Sequence, residues 1–162
     1  MNFIYRYNKL ASLRLWKSYI QDEGVRAICE FLAGNVSMLC LELMDNKITP
    51  LGCEFLGRCL APGPKCAPIC FLKLDHNMFG SAGVENLCIG LKTNEFLKML
   101  SLTYCGIDHK GARPLFEVLI FSKSKLEELI STGNQLRNEG AMMITVDSGL
   151  GKYQYIIPAQ AQ

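Results

Sequence analysis

The chain has 162 residues, 49% hydrophobic and 20% charged, with 17 basic and 15 acidic residues for a net charge of +2. That composition suits a chain with a core rather than a disordered one, and the near balance of charge gives no electrostatic footprint for nucleic acid or an anionic membrane. No apolar run approaches the roughly 18–20 residues that cross a bilayer.

Residues 1–9 form an N-terminal edge segment, in which Phe3, Ile4, Tyr5 and Tyr7 are expected to fold over the exposed edge of the core. Arg6, Lys9 and Arg14 interrupt this stretch, leaving no apolar run of the kind a secretory leader needs, so a cytoplasmic location is expected, with nuclear, cytoskeletal or ciliary association open. From Leu10 one spacing recurs five times. The copies run Leu10, Leu13, Leu15, Ser18, Ile20, Gly24; then Met38, Leu41, Leu43, Asn46, Ile48, Gly52; then Ile69, Leu72, Leu74, Asn77, Phe79, Gly83. The fourth is Leu97, Leu100, Leu102, Cys105, Ile107, Gly111, and the fifth Leu126, Leu129, Ser131, Asn134, Leu136, Gly140. Successive copies start 28, 31, 28 and 29 residues apart.

The two-residue step within each copy predicts a short strand with both apolar side chains on one face. The next polar residue falls where the chain bends and must satisfy backbone groups there. After each glycine the pattern changes to helical spacing: Val25, Ile28 and Leu32; Cys53, Leu56 and Leu60; Val84, Leu87 and Leu91; Ala112, Leu115 and Leu119. Those positions share one helical face, which must be buried. Each unit is therefore strand, bend and helix, and consecutive strands lie parallel because the helix returns the chain to its starting side.

The pattern LxxLxLxx(N/C)xLxxxGxxxLxxxL, from Leu10 to about Ile144, resembles the ribonuclease-inhibitor type of leucine-rich repeat. The resemblance implies an α/β solenoid, a right-handed horseshoe arc with a parallel sheet on the concave face and helices on the convex one. The repeats span about 10–37, 38–68, 69–96, 97–125 and 126–152. Cys105 suits the asparagine position, whereas Ser18 and Ser131 depart from the pattern and predict weaker packing at the two ends. The insertion 61–68, APGPKCAP, reads as a protruding loop because its prolines stop a helix. Over 145–162 the helical pattern decays at Ser148, Gly149 and Gly151, and residues 152–158 alternate as a degenerate terminal strand before a loose tail. A chain that stops within a unit suggests a piece of a longer array.

No catalytic constellation emerges, and neither an enzyme nor a small-molecule substrate is expected. His76 and His109 fall in loops of different repeats with no nucleophile pattern beside them. The eight cysteines are expected as free thiols, with Cys29, Cys53, Cys59 and Cys88 as small apolar fillers. Cys66 and Cys70 have a spacing open to a metal pair or a disulfide, but no second Cys/His pair completes a zinc site, so no metal or other cofactor is expected. Asn35-Val36-Ser37 matches a glycosylation sequon by chance. Gly149-Leu150-Gly151-Lys152 resembles the end of a phosphate loop but has Val146 and Tyr153 where the full pattern needs Gly and Ser/Thr.

Side chains alternating with the core leucines must face the groove. With strands about 4.8 Å apart, equal repeat positions form rows. One row reads Cys40, Phe71, Met99, the next Arg14, Glu42, Lys73, Ser101, and a third Trp16, Met44, Asp75, Thr103. The middle row alternates charge and predicts cross-strand ion pairs. Apolar residues beside it have the composition of a protein-binding patch, with Trp16, Met44, Phe71 and Met99 as anchors and Arg14, Glu42, Lys73 and Asp75 as orienting charges. The expected function is a non-catalytic interaction module or scaffold that binds a protein partner on the concave face. The alternatives are an enzyme regulator, since the resemblance extends to ribonuclease inhibitors and activators of Ran-type GTPases, or a fragment of a larger sensor or ciliary scaffold array.

Overall fold

The computed structural model describes residues 9–63, 66–121 and 123–137, and the backbone of Gln154–Ile156. The expectations for the edge segment 1–8, Pro64 and Lys65 of the insertion, the fifth helix and its decay at 148–151, the phosphate-loop likeness at 149–152 and the loose tail fall outside the described residues.

The chain alternates β1 (Ser12–Arg14), α1 (Gln21–Leu32), β2 (Cys40–Glu42), α2 (Pro50–Leu60), β3 (Phe71–Lys73) and α3 (Gly80–Leu91). It continues through β4 (Met99–Ser101), a 3-10 turn (His109–Gly111), α4 (Ala112–Leu119), β5 (Glu128–Ile130) and β6 (Gln154–Ile156). The strands stand in sequence order in one open sheet, every neighbouring pair parallel. The register aligns Leu13, Leu41, Leu72, Leu100 and Leu129 across the sheet, so each leucine occupies the same place in its repeat. This is the α/β leucine-rich-repeat solenoid that the resemblance implies.

The core lies between sheet and helices. From the second to the fourth repeat the paired strand leucines are fully buried, and the helical positions predicted to meet them, from Val25, Ile28 and Leu32 through to Ala112, Leu115 and Leu119, are buried as well. In the first strand Leu13 and Leu15 are only partly covered. The glycine that ends each of the first four motifs is required by close approach. A Cβ on Gly52 would stand 2.6 Å from Ile48 Cγ2, and one on Gly83 2.6 Å from Phe79 Cβ, so the apolar residue four positions earlier occupies that space.

Buried asparagines tie the repeats together. Asn77 Oδ1 accepts the N–H groups of Asn46 (2.9 Å) and Ile48 (3.1 Å), while its Nδ2 donates to the carbonyls of Leu43 and Leu74. Asn46 and Asn134 do the same in their own bends. Cys105 takes this place in the fourth repeat, its thiol donating to Leu74 O at 3.4 Å. Asn35 and Asn94 hold the opposite bends, where helix returns to strand. Asn35 is 2% exposed with its amide so engaged, which removes the sequon as an acceptor. The insertion protrudes at Pro62 and Gly63, but Ala67 is buried, so the loop is pinned back into the core before β3.

Candidate protein-binding surface

Alternation along the strands places Arg14, Cys40, Glu42, Phe71, Lys73 and Met99 on the sheet face turned away from the helices. Trp16, Met44, Asp75 and Thr103 continue the rows just past the strands. In the middle row Glu42 is the hub. Its Oε1 lies 3.5 Å from Arg14 Nε and 3.4 Å from Lys73 Nζ, and the Cys40 thiol donates to it at 3.7 Å. The predicted charge alternation thus exists as two cross-strand ion pairs. At this exposure each contributes under about 1 kcal/mol; their larger effect is to hold Glu42 and Lys73 in place.

The third row differs from expectation. Asp75 is 9% exposed, and its Oδ1 accepts the Ser101 hydroxyl at 2.6 Å and the Thr103 N–H at 2.7 Å. Ser101 is 3% exposed. Two short side chains diagonal to each other on adjacent strands are near enough to bond to one another. Asp75 therefore clamps β3 to β4 through that oxygen. Trp16 is 66% exposed and Phe71 42%, while Met44, Met99 and Thr103 are half-buried.

The rim formed by the strand-to-helix bends adds residues that strand alternation does not reach. Lys17, Asp45, His76, Tyr104 and Gly133 occupy one repeat position, all with left-handed backbone. Lys17 Nζ is 3.6 Å from Asp45 Oδ2, and the rings of His76 and Tyr104 stack with centroids 5.3 Å apart. Tyr104 in turn covers Gly133, where a Cβ would collide with its ring. Two residues further on, Tyr19 carries Lys47 over its ring at 4.7 Å, and exposed Met78 rests against Gly106. Extending the row register past the strand ends would have found Tyr19, Met78 and Tyr104. Beneath the rim, burial pushes the Cys105 thiol up to about 12. At its edge the Ser81 hydroxyl, then the Lys110 amide, holds Asp108 below the ordinary carboxylate range.

The remaining candidates do not assemble chemistry. His109 opens the 3-10 turn, far along the chain from the stacked His76. Cys66 and Cys70 donate to backbone carbonyls, Ala67 O and Pro68 O, both at 3.5 Å. Among the described residues no group of three or more His, Cys, Asp or Glu side chains is placed to hold a metal ion. No helix among them is long and apolar enough to cross a membrane.

A family model described as leucine-rich repeat matches residues 34–57 and 93–116. Pig (Sus scrofa) ribonuclease inhibitor is 34% identical over 137 residues, 83% of this chain and 29% of that protein. The chain is a leucine-rich repeat protein of the ribonuclease-inhibitor-like type. Mouse (Mus musculus) ribonuclease inhibitor is 34% identical over 127 residues, 77% of this chain and 27% of its own. Human (Homo sapiens) NACHT, LRR and PYD domains-containing protein 13 is 34% identical over 138 residues, 83% of this leucine-rich repeat chain and 13% of its own. The chain thus spans less than a third of the length of each of these relatives. The likeness supports a role in protein interaction.

Proposed function

We propose that this leucine-rich repeat chain is a non-catalytic interaction module whose protein partner docks on the concave face and its rim. The exposure of Trp16 and Phe71 on a face that has no core to enter carries the reading. The asparagine bends and parallel strands hold these side chains in place before a partner arrives, so little ordering entropy opposes association. Trp16 and Phe71, with Met44 and Met99 beside them, supply the large apolar anchors on which binding energy concentrates. Arg14, exposed past Glu42, and Lys73 supply the charge that fixes orientation and raises the association rate. A captured partner should bind the Trp16→Ala/Phe71→Ala double variant at least about tenfold more weakly, about 1.4 kcal/mol, with far-UV circular dichroism unchanged. Equal affinity would reject the concave-face reading.

A second reading is regulation of an enzyme, favoured by the 34% identity to two ribonuclease inhibitors. The groove charges are mixed, with Glu42 shared between Arg14 and Lys73, where a basic nuclease would demand an acidic face. Titrating the chain into a ribonuclease assay tests it; undiminished hydrolysis at excess chain removes it.

A further inference from the structure

The helix layer carries a pair of cysteines that neither the repeat pattern nor the binding face accounts for. Neighbouring helices meet through two fixed repeat positions, five residues past the repeat glycine on one helix and seven past it on the next. Between α2 and α3 these are Gly57 and Gly90. A Cβ on Gly90 would stand 2.6 Å from the Gly57 carbonyl carbon, so the two positions face each other directly. Between α3 and α4 they are Cys88 and Val118, both buried. Between α1 and α2 they are Cys29 and Cys59.

The register therefore sets two thiols against each other across the α1–α2 interface. Each thiol shifts the other's titration, as near neighbours do. Six residues of α-helix rotate Cys59 away from the face that holds Cys53, so it packs at the margin of the core and is only half-buried. Cys29 is half-buried too. The other helix-borne thiols, Cys53 and Cys88, are enclosed in the core.

We infer that Cys29 and Cys59 form an oxidisable dithiol site that closes to a disulfide under hydrogen peroxide, linking the first repeat to the second. The Cys59 thiolate attacks one peroxide oxygen, the O–O bond breaks, hydroxide leaves and Cys59 becomes a sulfenic acid. Cys29 then attacks that sulfur, the S–O bond breaks and water leaves with the thiol proton. The two sulfurs together lose two electrons and the peroxide gains them. The neighbouring Cys29 thiol lowers Cys59 against the opposing pull of burial, whereas Cys29 is raised by Cys59 and by burial. In the proposed order Cys59 reacts first and Cys29 resolves it. Cys66 is the nearest competitor, close enough for its titration to feel Cys59, but its thiol is engaged with the Leu60 and Ala67 carbonyls. The site is independent of any partner on the concave face.

The test is peptide mapping of the full chain after brief exposure to peroxide, blocking with an alkylating reagent and digestion without reduction. The expected product has lost the mass of two hydrogens, carries a Cys29–Cys59 linked peptide and reverts with dithiothreitol. The oxidised chain should also unfold at a higher temperature, since the link shortens the loops open to the unfolded chain. In Cys29→Ser the link should vanish and Cys59 should be trapped as a sulfenic acid by dimedone. A dominant Cys59–Cys66 link, or a wild-type chain whose Cys59 oxidises without any link to Cys29, would overturn the inference. So would oxidation of Cys40, Cys66 or Cys70 while Cys29 and Cys59 remain alkylatable.

Discussion

Gly90 lies so close to Gly57 that a Cβ at position 90 would stand 2.6 Å from the Gly57 carbonyl carbon and 3.1 Å from the Ala61 amide nitrogen. Both are backbone atoms at α2 and its C-terminal end, which cannot swing aside as a side chain would. Gly90→Ala should therefore force α2 and α3 apart and destabilise the chain by about 2–3 kcal/mol. The urea midpoint should fall with the slope unchanged. Gly63→Ala is the control: a Cβ there meets nothing within 4 Å, and its effect should stay within about 0.5 kcal/mol. Equal effects at the two positions would contradict the packing described.

The Asp75 clamp makes a second prediction. Asp75→Ala leaves the Ser101 hydroxyl and the Thr103 N–H without their acceptor, at a cost of about 2–3 kcal/mol. Ser101→Ala removes one donor and leaves the other bond, costing about 1 kcal/mol. Once corrected for the unfolded fraction, partner affinity should be the same for Ser101→Ala and wild type. A loss of affinity without a loss of stability would return Ser101 to the binding surface.

These two contacts also show where a reading of the residues stops. The spacing of Leu41, Leu43, Asn46, Ile48 and Gly52 is imposed by the core, and it repeats because each unit meets the same neighbours; strand, bend, helix and register were all legible from it. Alternation likewise placed Arg14, Glu42 and Lys73 in one row, where the ion pairs form. It could not tell which groove side chains bond to one another, so Asp75 and Ser101 looked available. Tyr104 and Tyr19 were missed because they stand in left-handed bends outside the two-residue period. Helix-to-helix pairs such as Gly57 with Gly90 fall at fixed offsets from the repeat glycine, but it took the contact between them to show which offsets meet.

Cys105 supplies a pH dependence whose sign is determined by its burial. Its thiol is raised from an ordinary 9.0 to about 12, so the folded state holds the proton more tightly than the unfolded one. The resulting stability is fully present below about pH 9 and is lost as pH rises towards 12. Cys88, also raised to about 12, acts in the same direction. Each thiol removes up to about 1.4 kcal/mol per pH unit across that window. Cys105→Asn restores the amide that Asn46, Asn77 and Asn134 use, and should stabilise the neutral-pH protein by about 0.5–1.5 kcal/mol. Thermal melts from pH 7.5 upwards should then fall less steeply for the variant than for wild type. Parallel slopes would show that Cys105 does not titrate across this range.

Gly133 tests whether the rim belongs to the binding surface. It has φ +71, and a side chain there would collide with the ring of Tyr104, which itself stacks on His76. Gly133→Ala should cost about 1 kcal/mol from the left-handed backbone and displace Tyr104 from its stack. The displacement should appear as a change in the ring-current shifts of the His76 protons. Tyr104→Ala removes the same stack without touching the backbone at Gly133, so its stability should stay close to wild type. If the partner reaches the rim, both variants should weaken its binding by a similar factor despite their different stabilities. If it contacts the strands alone, neither variant should alter affinity and the Trp16→Ala/Phe71→Ala loss should stand by itself.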